Sequence, residues 1–409
     1  MKAFLTIAWR NILRNRRRSL ITIFAIGFGL GAMIFVWGYI DGAHLQMKEN
    51  FTGLLMGHIQ IHAKGFEKTM SINKVIKNPV PIDDILGKQP EIVSYSRRIR
   101  TFSLFGTTEN SVGGMLIGID PVNEAKVSKI KNSVISGQFL TAENVRGIVL
   151  GNVLAENLQA TLGDKVVTMA QATDGTLGAE AFRVIGLIKT GVEEIDKGIA
   201  FVLLKDVQRV LILEEAVTDF VLRVNSFDRI DGVTQFLKTQ LATNDLEIMT
   251  WSEISPILQQ WMDFDEAFAY VFLLIVLIII VAGILNTILM SLLERTREFG
   301  VMMALGTKGY QLAFMVGIES FLLGVMGMVL GMIIGLSAVG VFSHWGIPIS
   351  SKVKEAMASF FMSDVIYPTI NIDHFISSAL VVLISSILIS FYPAWKVSKL
   401  RPVKALHSV

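Results

Sequence analysis

His58 and His62, in "GHIQIH", are the one pair of histidines close together in the 409 residues, and imidazole is a common metal ligand. On a strand they share a face, but four residues at about 3.3 Å each set them roughly 13 Å apart, too far for one ion with bonds near 2 Å. The stretch therefore reads as the polar face of a strand, and no metal is expected. No GxxxxGK[ST], HExxH or GxSxG occurs, so phosphate-loop hydrolysis has no carrier and no catalytic residue is assigned. Cysteine is absent, which excludes disulfides, thiolate metal sites and cysteine nucleophiles. Two charged features remain. Glu319 is the one acid well inside an apolar run, where a carboxylate is costly, faces protein interior or finds a local partner. The other is "ERTREFGVMMALGTKGYQL", beginning at Glu294 between two very apolar runs. Its Glu294, Arg295, Arg297 and Glu298 precede Phe299, Val301, Met302, Met303, Ala304 and Leu305, then Gly306. A helix with a charged start and a methionine-rich apolar end suits docking into a protein groove; a plain interfacial loop helix is the alternative.

The surrounding elements explain where such residues sit. With 52% hydrophobic residues, 18% charged residues and a mean hydropathy of +0.55, the chain reads as a membrane protein. Four runs are long enough to cross a bilayer: residues 19–40, 267–293, 311–341 and 375–395. Lys2, Arg10, Arg14, Arg16, Arg17 and Arg18 precede the first with no acid among them, which predicts a cytoplasmic segment 1–18. Arg295, Arg297 and Lys308 then put the connector 294–310 inside, as Lys396, Lys399, Arg401 and Lys404 put the tail 396–409. Both termini are expected in the cytoplasm, with 41–266 and the shorter 342–374 outside. The first run is too long for a signal peptide and lacks a cleavage site, so it is expected to stay as an anchor. Leu5, Trp9, Ile12 and Leu13 before it suggest either a helix in the headgroup plane or a basic flank that only sets topology.

Within 41–266, "GHIQIHA", "GGMLIGID", "GIVLGN", "DKVVTMAQ", "FRVIGLI" and "DFVLRVN" read as strands bounded by turn residues. Val153, Leu154, Leu158 and Leu162 predict a helix ending on Gly163, and Ile230, Val233, Leu237 and Leu241 predict another. The fold class is thus an α-helical membrane protein with four transmembrane helices and a large extracytoplasmic mixed α+β domain between the first and second. Gly327, Gly331 and Gly335 line one face of the third span, and Gly27 and Gly31 one face of the first. Such faces let helices approach closely, within a bundle or a dimer.

The order of one span, a large external domain and three spans, with the Glu294 stretch and the tail segment "YPAWKVSKLRPVKAL", resembles the permeases of mechanotransmission (type VII) ABC transporters. That superfamily contains the lipoprotein-releasing permeases, the macrolide exporter and the cell-division permease. "AWRNILRNRRRSLITIFAIGFGLGA", "GHIQIHAKGF" and "ISGQFLTAENVRGIVLGNVLAENLQATLGDKV" extend the resemblance over nearly the whole chain. It implies a coupling helix, with Glu294, Arg295, Arg297, Glu298, Met302, Leu305 and Gly306 contacting a separate ATPase. It further implies two ATPase copies that use ATP and Mg, no cofactor on this chain, and a second permease, identical or paralogous. The bacterial inner membrane is the implied location, and nucleic acid is not expected. "GHIQIHAKGF" looks most like the lipoprotein-releasing branch, which implies a lipoprotein substrate and a periplasmic carrier. Acyl chains would then lie against Phe35, Val36, Tyr39, Phe264, Phe268 and Phe272. An efflux or envelope-remodelling permease, or an anchored binding or signalling module, are the alternatives.

Overall fold

The computed structural model describes residues 2–241, 245–350, 352, 357 and 360–399. The chain divides into two compact units, one built from Met1–Leu45, Met262–Ile349 and Val365–Val409, the other from Gln46–Trp261 and Ser350–Asp364.

The first unit is helical. Among the described residues four helices are long and apolar enough to cross a membrane. Span one belongs to the helix Arg16–Phe51, whose 36 residues reach about 54 Å at 1.5 Å per residue. It runs past the apolar stretch because no proline follows Ile40 before the helix gives way to a π-helical turn, Thr52–Met56, and Gly57. Span two is the helix Pro256–Glu294, with proline at the first helical position, where its missing N–H costs nothing. Span three is Gly309–Trp345 and span four Ile372–Ser398. A helix Lys2–Arg14 precedes span one, and a short helix Thr296–Ala304 joins spans two and three. The bundle core draws Ile26, Leu30 and Trp37 from span one, Leu273, Ile280 and Ile288 from span two, Met315 and Val339 from span three and Val382 from span four.

Among the described residues, the second unit is built on a sheet of ten strands: β1 (Ile59–Ala63), β2 (Ile92–Gly106), β3 (Ser111–Ile119), β4 (Val134–Gly137), β5 (Gly147–Gly151), β6 (Lys165–Gln171), β7 (Leu177–Ile188), β8 (Ile199–Leu203), β9 (Asp219–Val224) and β10 (Leu246–Thr250). Their order is β10-β1-β9-β2-β3-β8-β5-β7-β4, with β6 pairing β2 and β7. Each of the six runs read as strands contributes one. The longest strand, β2, escapes that reading because Arg97, Arg98 and Arg100 interrupt its apolar pattern. Arg98 and Arg100 are nevertheless buried: Arg98 donates to Glu124 at 2.6 and 2.9 Å, and Arg100 to Asp219 and Glu67. The helix expected to run to Gly163 covers only Asn152–Leu158, since Gln159 turns left-handed at φ +52° and caps it. The helix Ile230–Gln240 presents Ile230, Val233 and Leu237 to the interior, at the predicted spacing. His58, Gln60 and His62 do share one polar face, and it is buried: Gln60 bonds Met56 and Arg100, and His58 Nδ1 accepts from Val224 N–H.

Candidate functional site

Span two stops at Glu294, where Arg295 takes φ −101° and ψ 6° and redirects the chain into the short helix. The side chain of Arg295 turns inward and is only 7% exposed. Its Nη1 donates to Glu319 Oε2 of span three at 2.9 Å, and its Nε to Glu298 Oε2 of the short helix at 3.2 Å. The guanidinium also lies 5.0 Å from the centroid of the buried Phe299 ring, a cation–π contact. The intramembrane acid thus has a local cationic partner. Removing one member of such a desolvated pair strands the other's charge and costs about 3–5 kcal/mol.

Around this pair the network widens toward solvent. Arg14 Nη2 donates to both oxygens of Glu298, at 2.8 and 3.0 Å, and Arg18 pairs with Glu294. Three arginines therefore meet three glutamates, joining the N-terminal helix, span one, the end of span two, the short helix and span three. The outer pair is weak, since Arg14 and Glu298 side chains are 59% and 48% exposed. Arg18, Arg295 and Glu319 also border a cavity of about 30 Å³, whose wall mixes polar Asn15, Ser19 and Thr22 with apolar Leu292, Phe299 and Val316. Arg18 Nη1 is buried without a protein hydrogen-bond partner. The volume exceeds what one water needs, and the walls offer donors and acceptors enough to hold it.

The short helix ends in a Schellman motif: Thr307 N–H bonds Met302 O and Gly306 N–H bonds Met303 O, both at 3.0 Å, with Gly306 at φ +98°. Helical period divides its surface. Arg295, Phe299, Met302 and Met303 face the bundle core, whereas Arg297, Glu298, Val301 and Leu305 face outward, Leu305 being 83% exposed. Two residues expected on a docking face thus lie elsewhere: Arg295 is buried in its ion pairs, and Met302 is half-buried against the core. Glu294 is exposed and bound to Arg18, and Gly306 is exposed at the turn.

The two glycine faces meet each other inside this unit. A Cβ on Gly27 would lie 2.9 Å from Leu330, and one on Gly31 2.9 Å from Ile334, both on span three. Reciprocally, a Cβ on Gly327, Gly331 or Gly335 would come within 2.5, 2.7 and 2.7 Å of Ile26, Leu30 and Ile34 on span one. The six aromatic and aliphatic candidates differ in exposure. Phe264, Phe268 and Phe272 form an exposed ridge along span two, while Phe35 packs edge-on against Phe342 at 5.5 Å and Val36 lies half-buried beside it. Tyr39 is half-buried one turn further on.

A second polar cluster was not singled out from the sequence. His374 Nδ1 lies 2.9 Å from both Asp41 oxygens and its ring stacks on Trp37 at 4.0 Å, while His44 Nε2 lies 3.0 Å from Asp265 Oδ2. The available signal was that Asp41, His44, Asp265 and His374 all fall at the ends of apolar runs.

Comparison with known proteins gives this arrangement its class. The profile of the MacB-like periplasmic core domain matches residues 19–240, and that of the FtsX-like permease C-terminal domain matches residues 270–402. The lipoprotein-releasing system transmembrane protein LolC of Xylella fastidiosa is 23% identical over 97% of this chain and 96% of its own length. The macrolide export ATP-binding/permease protein MacB of Hyphomonas neptunium is 22% identical over 98% of this chain, but the match spans 60% of that protein. Among solved structures, the periplasmic region of MacB from Actinobacillus actinomycetemcomitans aligns with 52% of this chain and 96% of its own, at 17% identity and a TM-score of 0.36. The matched regions are permease sequence of a multi-pass membrane protein. The chain belongs to the FtsX/MacB/LolC family of type VII ABC transporter permeases.

Proposed function

We propose that this chain is a permease subunit that receives ATP-driven motion from a separate ATPase and releases lipoproteins from the outer leaflet of the bacterial inner membrane. The observation that carries the reading is the short helix Thr296–Ala304: anchored inward by Arg295, it presents Arg297, Glu298, Val301 and Leu305 outward. A mixed charged and apolar face on a helix held by ion pairs suits a protein groove better than a lipid surface. Two ATPase copies, using ATP and Mg, would act on this permease and a second one, identical or paralogous, with both chain termini in the cytoplasm. The lipoprotein substrate is favoured by the likeness to LolC, which spans nearly all of both chains. The Phe264–Phe268–Phe272 ridge is the surface proposed to meet acyl chains, with handover to a periplasmic carrier.

Efflux is the second reading, favoured by the MacB-like core domain at residues 19–240. Reconstitution of the permease with its ATPase in proteoliposomes separates the two. ATP-dependent transfer of a triacylated lipoprotein into the aqueous phase, reduced by Phe268→Ser, supports release. ATP-dependent movement of a macrolide with no lipoprotein transfer would replace it with efflux.

A further inference from the structure

β1 sets His62 directly opposite Asp219 on β9 and Glu247 on β10. Residues paired in this way project from the same face of the sheet. Glu67, on the covering helix Phe66–Thr69, approaches from above, with its Oε2 3.9 Å from His62 Nε2. One ligand atom each from His62, Glu67 and Asp219 lies within 4.8 Å of the others. His62 is fully buried, yet neither ring nitrogen has a hydrogen-bond partner. A buried imidazole aimed at two carboxylates and bonded to nothing is a poor structural choice, and the nearby charges point to what it lacks.

Arg100 is the cation here: it donates to Asp219 Oδ2 at 2.9 Å, to Glu67 Oε2 at 2.7 Å and to Gln60 Oε1 at 3.2 Å. Thr218 also donates to Asp219, and Gly65 N–H to Glu247 at 3.0 Å. One guanidinium thus serves the buried Asp219 and the half-buried Glu67, and the half-buried Glu247 adds a third negative charge across from His62. A proton on the imidazole would supply one of the missing positive charges; a divalent ion supplies both.

We propose that His62, Glu67 and Asp219 bind a divalent metal ion of the zinc class. One imidazole nitrogen with two carboxylate oxygens is a donor set suited to such an ion and leaves a fourth position open. Ligand atoms around tetrahedral zinc stand roughly 3.5 Å apart, so the 3.9 Å gap closes by rotation of Glu67, whose side chain is 18% exposed. Arg100, bonded to both carboxylates, orients them as an outer partner. The ion would pin the helix Phe66–Thr69 onto the sheet. His58 takes no part: the companions of His62 come from β9 and from the helix after β1. His62, Glu67 and Asp219 all belong to the sheet unit, independently of the permease reading.

The test uses the full chain in detergent, stripped with a chelator and titrated with zinc chloride at neutral pH, with metal content by mass spectrometry and thermal unfolding as readouts. The expected result is about one tightly held zinc per chain and a higher Tm. His62→Gln and Glu67→Gln should each weaken binding roughly tenfold or more, as loss of a ligand exceeds loss of an outer partner. His344→Gln, at an exposed histidine, should not. No retained zinc in the wild type, an unchanged Tm, or full retention in His62→Gln overturns the proposal. So does metal-free protein that gains as much from mild acidification as from zinc, since the missing cation is then a proton. If His62→Gln does not fold, the wild-type titration still decides.

Discussion

Arg295 is where the charge pattern acquires a physical role, because its partners Glu298 and Glu319 belong to different elements and its own side chain is buried. Glu319→Leu alone should cost up to about 3–5 kcal/mol by leaving the desolvated guanidinium only the half-exposed Glu298 as a partner. Arg295→Leu with Glu319→Leu should recover much of that loss, since both charges leave together. Thermal unfolding of both variants in detergent checks this, and an additive double mutant would remove the coupling. Arg14→Ala, at the exposed outer pair, should cost no more than about 1 kcal/mol. His58 gives a pH prediction for the sheet unit. Burial, and secondarily the neighbouring Arg223 charge, pull its pKa down to about 4, while its Nδ1 accepts the Val224 N–H at 3.1 Å. The unfolded chain therefore takes up the proton first as pH falls. The stability due to neutral His58 is complete above about pH 6.5 and is lost between there and pH 4, by up to about 1.4 kcal/mol per unit. Urea unfolding of His58→Gln should show a flatter profile across that window; an unchanged slope would mean that His58 is not held neutral. The sequence showed Glu319 as an acid needing a partner but not which arginine supplies it, because Arg14, Arg18 and Arg295 all fit the same topological signal.

The elements were legible in proportion to their periodicity. Glycines at four-residue intervals marked the contact faces of spans one and three, yet the pattern is the same for a bundle and a dimer; only the structure turns Gly331 toward Leu30 and Gly27 toward Leu330. Gly331→Val should cost about 1–3 kcal/mol by overpacking that contact, whereas Gly283→Ala, whose Cβ would meet nothing within 4 Å, should be neutral or stabilising. Thermal unfolding of the pair measures it, and equal effects would show that the close approach carries no weight. Strand β2 was missed because its arginines read as surface, and a single sequence does not reveal that Glu124, Asp219 and Glu67 meet them inside. For the short helix composition gives no direction, so Arg295 and Met302 stand beside Arg297, Glu298 and Leu305 in the expected docking set; in the structure Phe299 and Met303 lie on the inward side with those two.

At the scale of the whole chain, the order of apolar runs and the alternating strands between the first and second carried the fold class, and the two matched profiles place it in the permease family. Substrate and partner leave no comparable pattern, since they depend on which side chains stay exposed, as the half-buried Phe35 against Phe342 and the exposed Phe264, Phe268 and Phe272 illustrate. The most direct measurement is affinity purification of the detergent-solubilised chain beside Leu305→Asp, with mass spectrometry of what copurifies and thermal unfolding to confirm that the variant is folded. Leu305 is 83% exposed and makes no ion pair, so the substitution alters the outward face without touching the Arg295 network. The account predicts an ABC ATPase with the wild type and its loss, by roughly tenfold or more, as expected for removing an interface anchor, with folded Leu305→Asp. An ATPase retained equally by both, or absent from both, would contradict the assignment of Thr296–Ala304 as the helix that couples this permease to ATP hydrolysis.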